Sequence, residues 1–386
     1  MRQRRSERLS ETAAADDGLK TRGGENSPPR VSQQSILAVA VIPCGSADSA
    51  YSANRPQVEA AEERQPSVQH LSFGQRPGMH PLIRVTPDVQ NALRDGKPVV
   101  ALESSVLAQG LPIPQNREAA TRMVDAVTRS GAIAAVTAVV AGCPTVGLEP
   151  PELERFLGRE GVRKVSARDI PFAVAKRQDG ATTVAASIAL AHAVGIDVFA
   201  TGGIGGVHRD APFDESADLV ELARTPMVVV CAGAKSILDL PATWERLESL
   251  GVPVVGYRTA EFPGFFSAET GIPLDTRVDG AADIVALYVA HRALGRTQSI
   301  LVVQPPPEKH ALARASVEAA VQQAQSEAQR DGIQGAAVTP YLLAAVNRLT
   351  NGGSLIANLA LLEQNAALAG EIATLCAAWR RAESSR

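Results

Sequence analysis

The chain has 386 residues, 45% of them apolar, and a net charge of −3, so it can bury a large core in one domain or two. That balance excludes the concentrated basic surface of a nucleic-acid binder, and 4% aromatic residues leave no stacking platform for single strands. No window is long and apolar enough to read as a membrane span. The four cysteines (Cys44, Cys143, Cys231 and Cys376) lack a C-x-x-C spacing; they read as buried free thiols in a reducing cytoplasm.

Residues 1–80 are rich in Ser, Gln, Arg, Glu and Pro and show no sustained periodicity. They read as a disordered N-terminal extension that buries too little apolar surface to offset chain entropy. The apolar run at 36–47 is short and follows a long polar stretch, which argues against a signal peptide. "HPLIRVTPDVQNAL" opens the ordered domain, expected over 81–386, with Met79 just ahead of it as a candidate natural start.

From there the pattern alternates. "PVVALES" predicts a strand, and "NREAATRMVDAVTRSG" a helix capped by Asn116 and stopped at Gly131. "AIAAVTAVVAG", "VRKVSARDI", "IDVFATGG", "PMVVVCAGA", "VPVVGYRT" and "SILVVQP" predict strands. "PELERFLGR", "ATTVAASIALAHAVG", "SADLVELAR", "ILDLPATWERLESLG" and residues 281–294 predict helices between them, and three more run from Ala311 to the end. Strands alternating with helices predict a single α/β domain: a mainly parallel sheet flanked by helices on both faces, with C-terminal helices appended. In such sheets the active site lies beyond the carboxyl ends of the strands.

The polar residues collect at those ends. Glu103 closes an apolar run in "ALESS" and reads as an acid or base whose pKa burial raises, or as a carboxylate capping the next segment. "TGGIGGVHRDAPFDESADL" places four glycines in five positions, then His208 and three aspartates spaced by four, Asp210, Asp214 and Asp218. The glycine spacing is not a dinucleotide fingerprint. A histidine and carboxylates beside it suit a hard divalent cation such as Mn²⁺, although Ser216 and Asp218 also read as ordinary helix-start residues. "GATTV" and "SAD" are helix starts able to meet a phosphate, and Lys164 could add a charge. Asn358 and Asn365 share a helix face, which also reads as a polar seam. Lys235 stands just past the apolar run Met227–Cys231. There desolvation lowers a lysine's pKa and makes its amine a nucleophile toward a carbonyl carbon; a snorkelling side chain or a structural ion pair is the alternative.

Taken in order, "VALESSVLAQGLPIPQN", "KVSARDIPFA", "GATTVAAS", "FATGGIGGVHR", "FDESADLVELART", "VVCAGAKSILDL", "GVPVVGYRTAEFPGFFS" and "GGSLIAN" resemble the pseudouridine-5′-phosphate glycosidase family. The resemblance runs from about residue 85 to 372 and leaves out the first 80 residues. It implies a cytoplasmic lyase of nucleotide catabolism that converts pseudouridine 5′-phosphate and water reversibly into uracil and ribose 5-phosphate. A C-nucleoside offers no heteroatom leaving group, so the two-carboxylate route of ordinary glycosidases is not open to it. A lysine Schiff base on the opened ribose supplies the electron sink. Lys235 falls on the family's nucleophile and Glu103 on its proton donor. Lys164, Val184, Ser216, Ala217 and Asp218 fall on substrate contacts, Thr183 stands beside Val184 as a phosphate candidate, and His208 and Asn358 match further polar residues of the pocket, with Thr201 near them. Asp214 falls on the ligand of one Mn²⁺ per subunit, and the family implies a homotrimer. Two departures stand out: the stretch between His208 and Asp214 is short, and "QPPPE" replaces the common "NPIPE". Competing readings are another Schiff-base sugar-phosphate lyase or aldolase, which would release a triose in place of uracil, and a non-catalytic sugar-phosphate sensor.

Overall fold

The computed structural model describes residues 80–209 and 211–384. The expectations of a disordered extension, of a start at Met79 and of a free Cys44, and the candidate ligand Asp210, lie outside the described residues.

The first strands are β1 (Arg84–Val85), β2 (Val99–Leu102), β3 (Ile133–Val140), β4 (Cys143–Val146), β5 (Arg163–Val165), β6 (Gly180–Thr182) and β7 (Val198–Ala200). Then come β8 (Val207–His208), β9 (Ala211–Glu215), β10 (Val228–Cys231), β11 (Leu238–Asp239), β12 (Val254–Tyr257), β13 (Arg277–Val278) and β14 (Ile300–Val303). The central sheet runs β1-β4-β3-β2-β7-β10-β14-β12-β13, with β6 beside β3 and β5 beside β6. Its middle is parallel: β2 pairs β7 and β3, and β10 lies between β7 and β14. The antiparallel pairs are β3–β4 and β3–β6. Strands β8, β9 and β11 form a separate antiparallel sheet.

The helices of the first half are α1 (Pro87–Arg94), α2 (Gln115–Arg129), α3 (Pro150–Gly158), α4 (Ile170–Ala175) and α5 (Val184–Ala193). Those of the second are α6 (Ala217–Arg224), α7 (Leu240–Ser249), α8 (Ala281–Ala293), α9 (Arg314–Arg330), α10 (Val338–Leu349) and α11 (Gly353–Ser384). The predicted mainly parallel α/β architecture is therefore the one observed. β10 and β14 are buried throughout, as continuous apolar runs require when both faces of a parallel sheet are covered. Each fully buried valine among them contributes about 1.5–3 kcal/mol. α11 lies against α2, α8 and the β2–β7–β10 face. α5 is apolar on nearly every side because it, too, is packed all round.

Several boundaries differ from the sequence reading. α2 begins at Gln115, and Asn116 is not its cap. Asn116 is fully buried, and its amide donates to the carbonyls of Leu107 and Leu157 at 3.1 and 2.9 Å, tying α2 to the turn after β2 and to α3. "GATTV" splits, with β6 ending at Thr182 and Thr183 capping α5. "ILDL" is partly strand, because Leu238 and Asp239 pair with β8 before Asp239 caps α7. Cys231 and Cys376 are buried free thiols as expected, with burial pushing Cys231 up to about 12; Cys143 departs from the expectation, being disulfide-bonded.

Candidate active site

Three strands deliver the central residues. Glu103 follows β2 directly, Thr201 follows β7, and Lys235 lies four residues beyond β10, so all three stand past the carboxyl ends of adjacent parallel strands. The turn that brings Lys235 round depends on Gly233. Its φ is +84°, and a Cβ there would sit 2.2 Å from the Pro263 carbonyl oxygen; only glycine meets both conditions. Backbone bonds then strap this turn to the glycine loop. Ile204 N donates to Gly233 O at 3.0 Å, and Lys235 N donates to Ile204 O at 3.1 Å.

Glu103 is 3% exposed. Ser105 Oγ donates to its Oε2 at 2.6 Å, and Thr201 Oγ1 donates to its Oε1. Two hydroxyls thus fix the Glu103 carboxyl group in one orientation. Lys235 is half-buried, and it shares a small cavity of about 50 Å³ with Glu103, Lys164, Phe265 and Asn358. Neither lysine has an ion pair among the described residues, so the structural-pair alternative for Lys235 finds no partner there. Lys164, on β5, is exposed overall and also lines the cleft. Desolvation there holds it below the ordinary lysine range, and the charge of Lys235 lowers it further against the opposing pull of Asp218 and Glu103. Asn358 is buried, and its side-chain oxygen has no partner.

The other expected residues do not line that cavity. Thr183 caps α5, accepting from Ala186 N at 3.5 Å, and its hydroxyl hydrogen stays free to donate. Val184 is the buried first residue of that helix. Ser216 caps α6, accepting from Asp218 N at 3.2 Å, and Ala217 is the exposed first residue behind it. Both carboxylate oxygens of Asp218 are committed to backbone: Oδ1 accepts from Ala185 N at 2.9 Å and Oδ2 from Gly205 N at 2.8 Å. Asp218 therefore joins the start of α5 to the glycine loop. His208 is half-buried on β8, and Asp214 is exposed on β9.

Among the described residues no group of three metal-ligating side chains gathers. The donor set that remains is one exposed carboxylate, Asp214. That fits a hard divalent cation holding mostly water and substrate oxygen, and it does not fit a closed all-protein cage.

Sequence reasoning missed part of the wall. Phe265 is 2% exposed at φ +67°, and its ring lies so close to Gly203 that a Cβ there would come within 2.6 Å. Its only local signal was the Pro-Gly pair before it. Gln109, Thr339, Pro340 and Leu343 also line the cavity, and nothing in their own stretches marks them. A second cavity of about 330 Å³ adjoins the first, sharing Gln109, Gly110, Pro340, Leu343 and Asn358. A cavity of about 800 Å³ lies elsewhere, at the amino ends of β2 and β7 beside Arg94, Lys97 and Asp197. It holds none of the residues that chemistry points to.

Residues 88–375 match the model of the family described as indigoidine synthase A like protein. A Gemmatimonas aurantiaca protein named pseudouridine-5′-phosphate glycosidase is 63% identical over 290 residues, 75% of this chain and 95% of that one. One of the same name from Escherichia coli K12 is 48% identical over 296 residues, 76% of this chain and 95% of its own. Among solved structures, the prealnumycin C-glycosynthase AlnA in complex with ribulose 5-phosphate superposes with a TM-score of 0.73 at 39% identity, covering 80% of this chain and all of that one. An indigoidine synthase A-like protein from Thermotoga maritima gives 0.72 at 36% identity, over 80% and 99% of the two chains.

Proposed function

The chain belongs to the indigoidine synthase A-like family, and from that premise we propose that it cleaves the carbon–carbon glycosidic bond of pseudouridine 5′-phosphate reversibly, giving uracil and ribose 5-phosphate. The observation that carries this reading is the meeting of one amine, Lys235, and one buried, doubly hydrogen-bonded carboxyl, Glu103, in a single cavity. Relatives at 48–63% identity bear the name of that activity. A structural neighbour carries ribulose 5-phosphate, a pentose phosphate that stays open-chain because its C5 oxygen is phosphorylated.

The chemistry follows from those two groups. Glu103 gives its proton to the ribose ring oxygen as the C1′–O4′ bond breaks, and neutral Lys235 Nζ bonds to C1′. Glu103, now a carboxylate, takes the proton from the new secondary ammonium and passes it to uracil C5, and the freed nitrogen lone pair then forms C=N⁺ as the C1′–C5 bond breaks. Its electrons return to the pyrimidine ring, and uracil leaves. Water then hydrolyses the iminium, releasing ribose 5-phosphate and restoring the amine; one water is consumed overall. The phosphate would be bound by the Thr183 hydroxyl and the Val184 N–H at the start of α5, with Lys164 as a point charge.

A divalent cation, Mn²⁺ at one ion per subunit, would be held by Asp214, and when bound it supplies charge neutralisation for substrate oxygens. We further propose a cytoplasmic homotrimer. Phosphorylated substrate and product are confined by their charge, and no helix among the described residues is long and apolar enough to cross a membrane.

The test is to incubate the protein with pseudouridine 5′-phosphate and Mn²⁺, with and without chelator, and to measure free uracil. Uracil release that chelator suppresses is expected; release of a triose, or no release, would overturn the reading.

A further inference from the structure

We propose that Arg209 is a positioning residue that presents the Lys235 amine to the sugar, with Glu318 on α9 holding its guanidinium in place. The inference rests on the Schiff-base reading above and deepens it. Arg209 stands in the turn between β8 and β9 and does not line the cavity that Lys235 shares with Glu103. It acts on the amine through the backbone that carries it.

The guanidinium is used along two edges. On one, Nε donates to Leu238 O and Nη2 to Ser236 O, both at 3.1 Å. On the other, Nη1 and Nη2 donate to the two carboxylate oxygens of Glu318 at 2.5 and 2.9 Å. A planar fork can meet two carbonyls and a carboxylate together, whereas a lysine ammonium offers its donors from a single point. Ser236 and Leu238 are buried, and carbonyls in buried backbone need such donors. Gln322 adds a bond to Glu318 at 3.2 Å. Bonding from Arg209 holds the Glu318 carboxyl below the ordinary carboxylate range, so the pair stays ionised at neutral pH.

These bonds bracket Lys235. Its own N–H donates to Ile204 O at 3.1 Å, which ties it to the glycine loop, and its carbonyl accepts from Leu238 N at 3.0 Å, which closes the turn over residues 235–238. Arg209 holds the far side of that turn through the carbonyls of Ser236 and Leu238. The lysine therefore leaves the backbone at a point fixed from both sides, and the reach of its amine toward Glu103 follows from that point. Bond formation needs a near-attack geometry, and a displacement of about 1 Å costs about a hundredfold in rate. The residues proposed above to bind the phosphate, Thr183, Val184 and Lys164, stand on other elements. Loss of the clamp should therefore slow the covalent step and leave sugar-phosphate binding intact.

The test compares Arg209→Met, Arg209→Lys and Glu318→Gln with wild type in two assays: uracil release from pseudouridine 5′-phosphate, and the rate of borohydride-trapped adduct formation with ribose 5-phosphate. Arg209→Met is expected to lower kcat and the saturated trapping rate about a hundredfold while KM and the half-saturating sugar phosphate hold. Arg209→Lys keeps the charge but loses the fork, and it should not restore the rate. Glu318→Gln should also slow both rates, because its amide nitrogen meets a guanidinium N–H that it cannot accept. Melting curves show whether each variant is folded at the assay temperature; where Arg209→Met does not fold, Glu318→Gln carries the same prediction. A folded variant with wild-type kcat, full recovery by Arg209→Lys, or a KM that rises as kcat falls would overturn the positioning role. If wild type traps the sugar and the variants trap it equally fast, that role falls and the Schiff-base reading stands. If wild type traps none, the reading falls, and the role with it.

Discussion

Lys164 and Lys235 share one cleft with a single buried carboxylate, and their charges are coupled. Because the Lys164 pKa is lowered on folding, the folded protein holds that proton less well than the unfolded chain does. Below the folded pKa the charged lysine costs stability. The cost is relieved as pH rises from the lowered folded value toward the ordinary 10.5. Lys164→Met should therefore raise the melting temperature at neutral pH, flatten the rise of stability with pH across that window, and impair turnover by weakening phosphate binding. A melting temperature that falls on substitution would show that the lysine stabilises the fold. At this scale the sequence was informative where motif and chemistry coincide: Glu103 and Lys235 stand just past apolar runs that had to be strands, and the structure brings them to one cavity. It was silent on Thr339, Pro340 and Leu343, because residues so far from the strand ends in the chain leave no spacing to read. Asn116 was misread for a related reason. A cap and a buried cross-link use the same side chain, and only packing tells them apart.

The geometry proposed as catalytic is held by elements behind it. Asn365 on α11 is 1% exposed; its amide donates to Thr201 O at 2.8 Å, and its oxygen accepts from Gln304 at 3.0 Å. Gln304 in turn accepts from Gln364 at 2.8 Å. This seam anchors the loop whose Thr201 hydroxyl aligns Glu103. Asn365→Leu leaves the Thr201 carbonyl unpaired in the core and should destabilise the protein by roughly 1–3 kcal/mol, seen as a melting temperature lower by a few degrees, with slower uracil release. An unchanged melting temperature would mean that water or a neighbour replaces the amide. The polar seam read from Asn358 and Asn365 holds for Asn365, whereas the Asn358 side-chain oxygen has no partner, and that Gln304, a departure from the common family motif, joins the seam was not legible. The short strands β6 and β11 were not legible. Each is only two or three residues long and sits against a strong helical pattern, so neighbouring strands decide its pairing where local preference does not.

For the molecule as a whole, the parallel middle of the sheet dictates where function lies. The chemistry stands at the carboxyl ends of β2, β7 and β10, while the cavity of about 800 Å³ lies at the opposite end; topology outweighs volume in choosing between them. The hairpin of β8 and β9 leaves Phe213 fully exposed beside Asp214, and a side chain so placed is suited to burial against another copy. Light scattering should give a mass of three chains, with Phe213→Ser shifting it toward one; a wild-type monomer would contradict the trimer. The central claim is narrower than any of these: Lys235 forms a covalent bond to C1′ of the opened sugar. Mass mapping after borohydride reduction with ribose 5-phosphate tests it most directly. The account predicts one sugar adduct, on the peptide carrying Lys235 and lost in Lys235→Ala; an adduct on Lys164 instead, or none on the active protein, would contradict it.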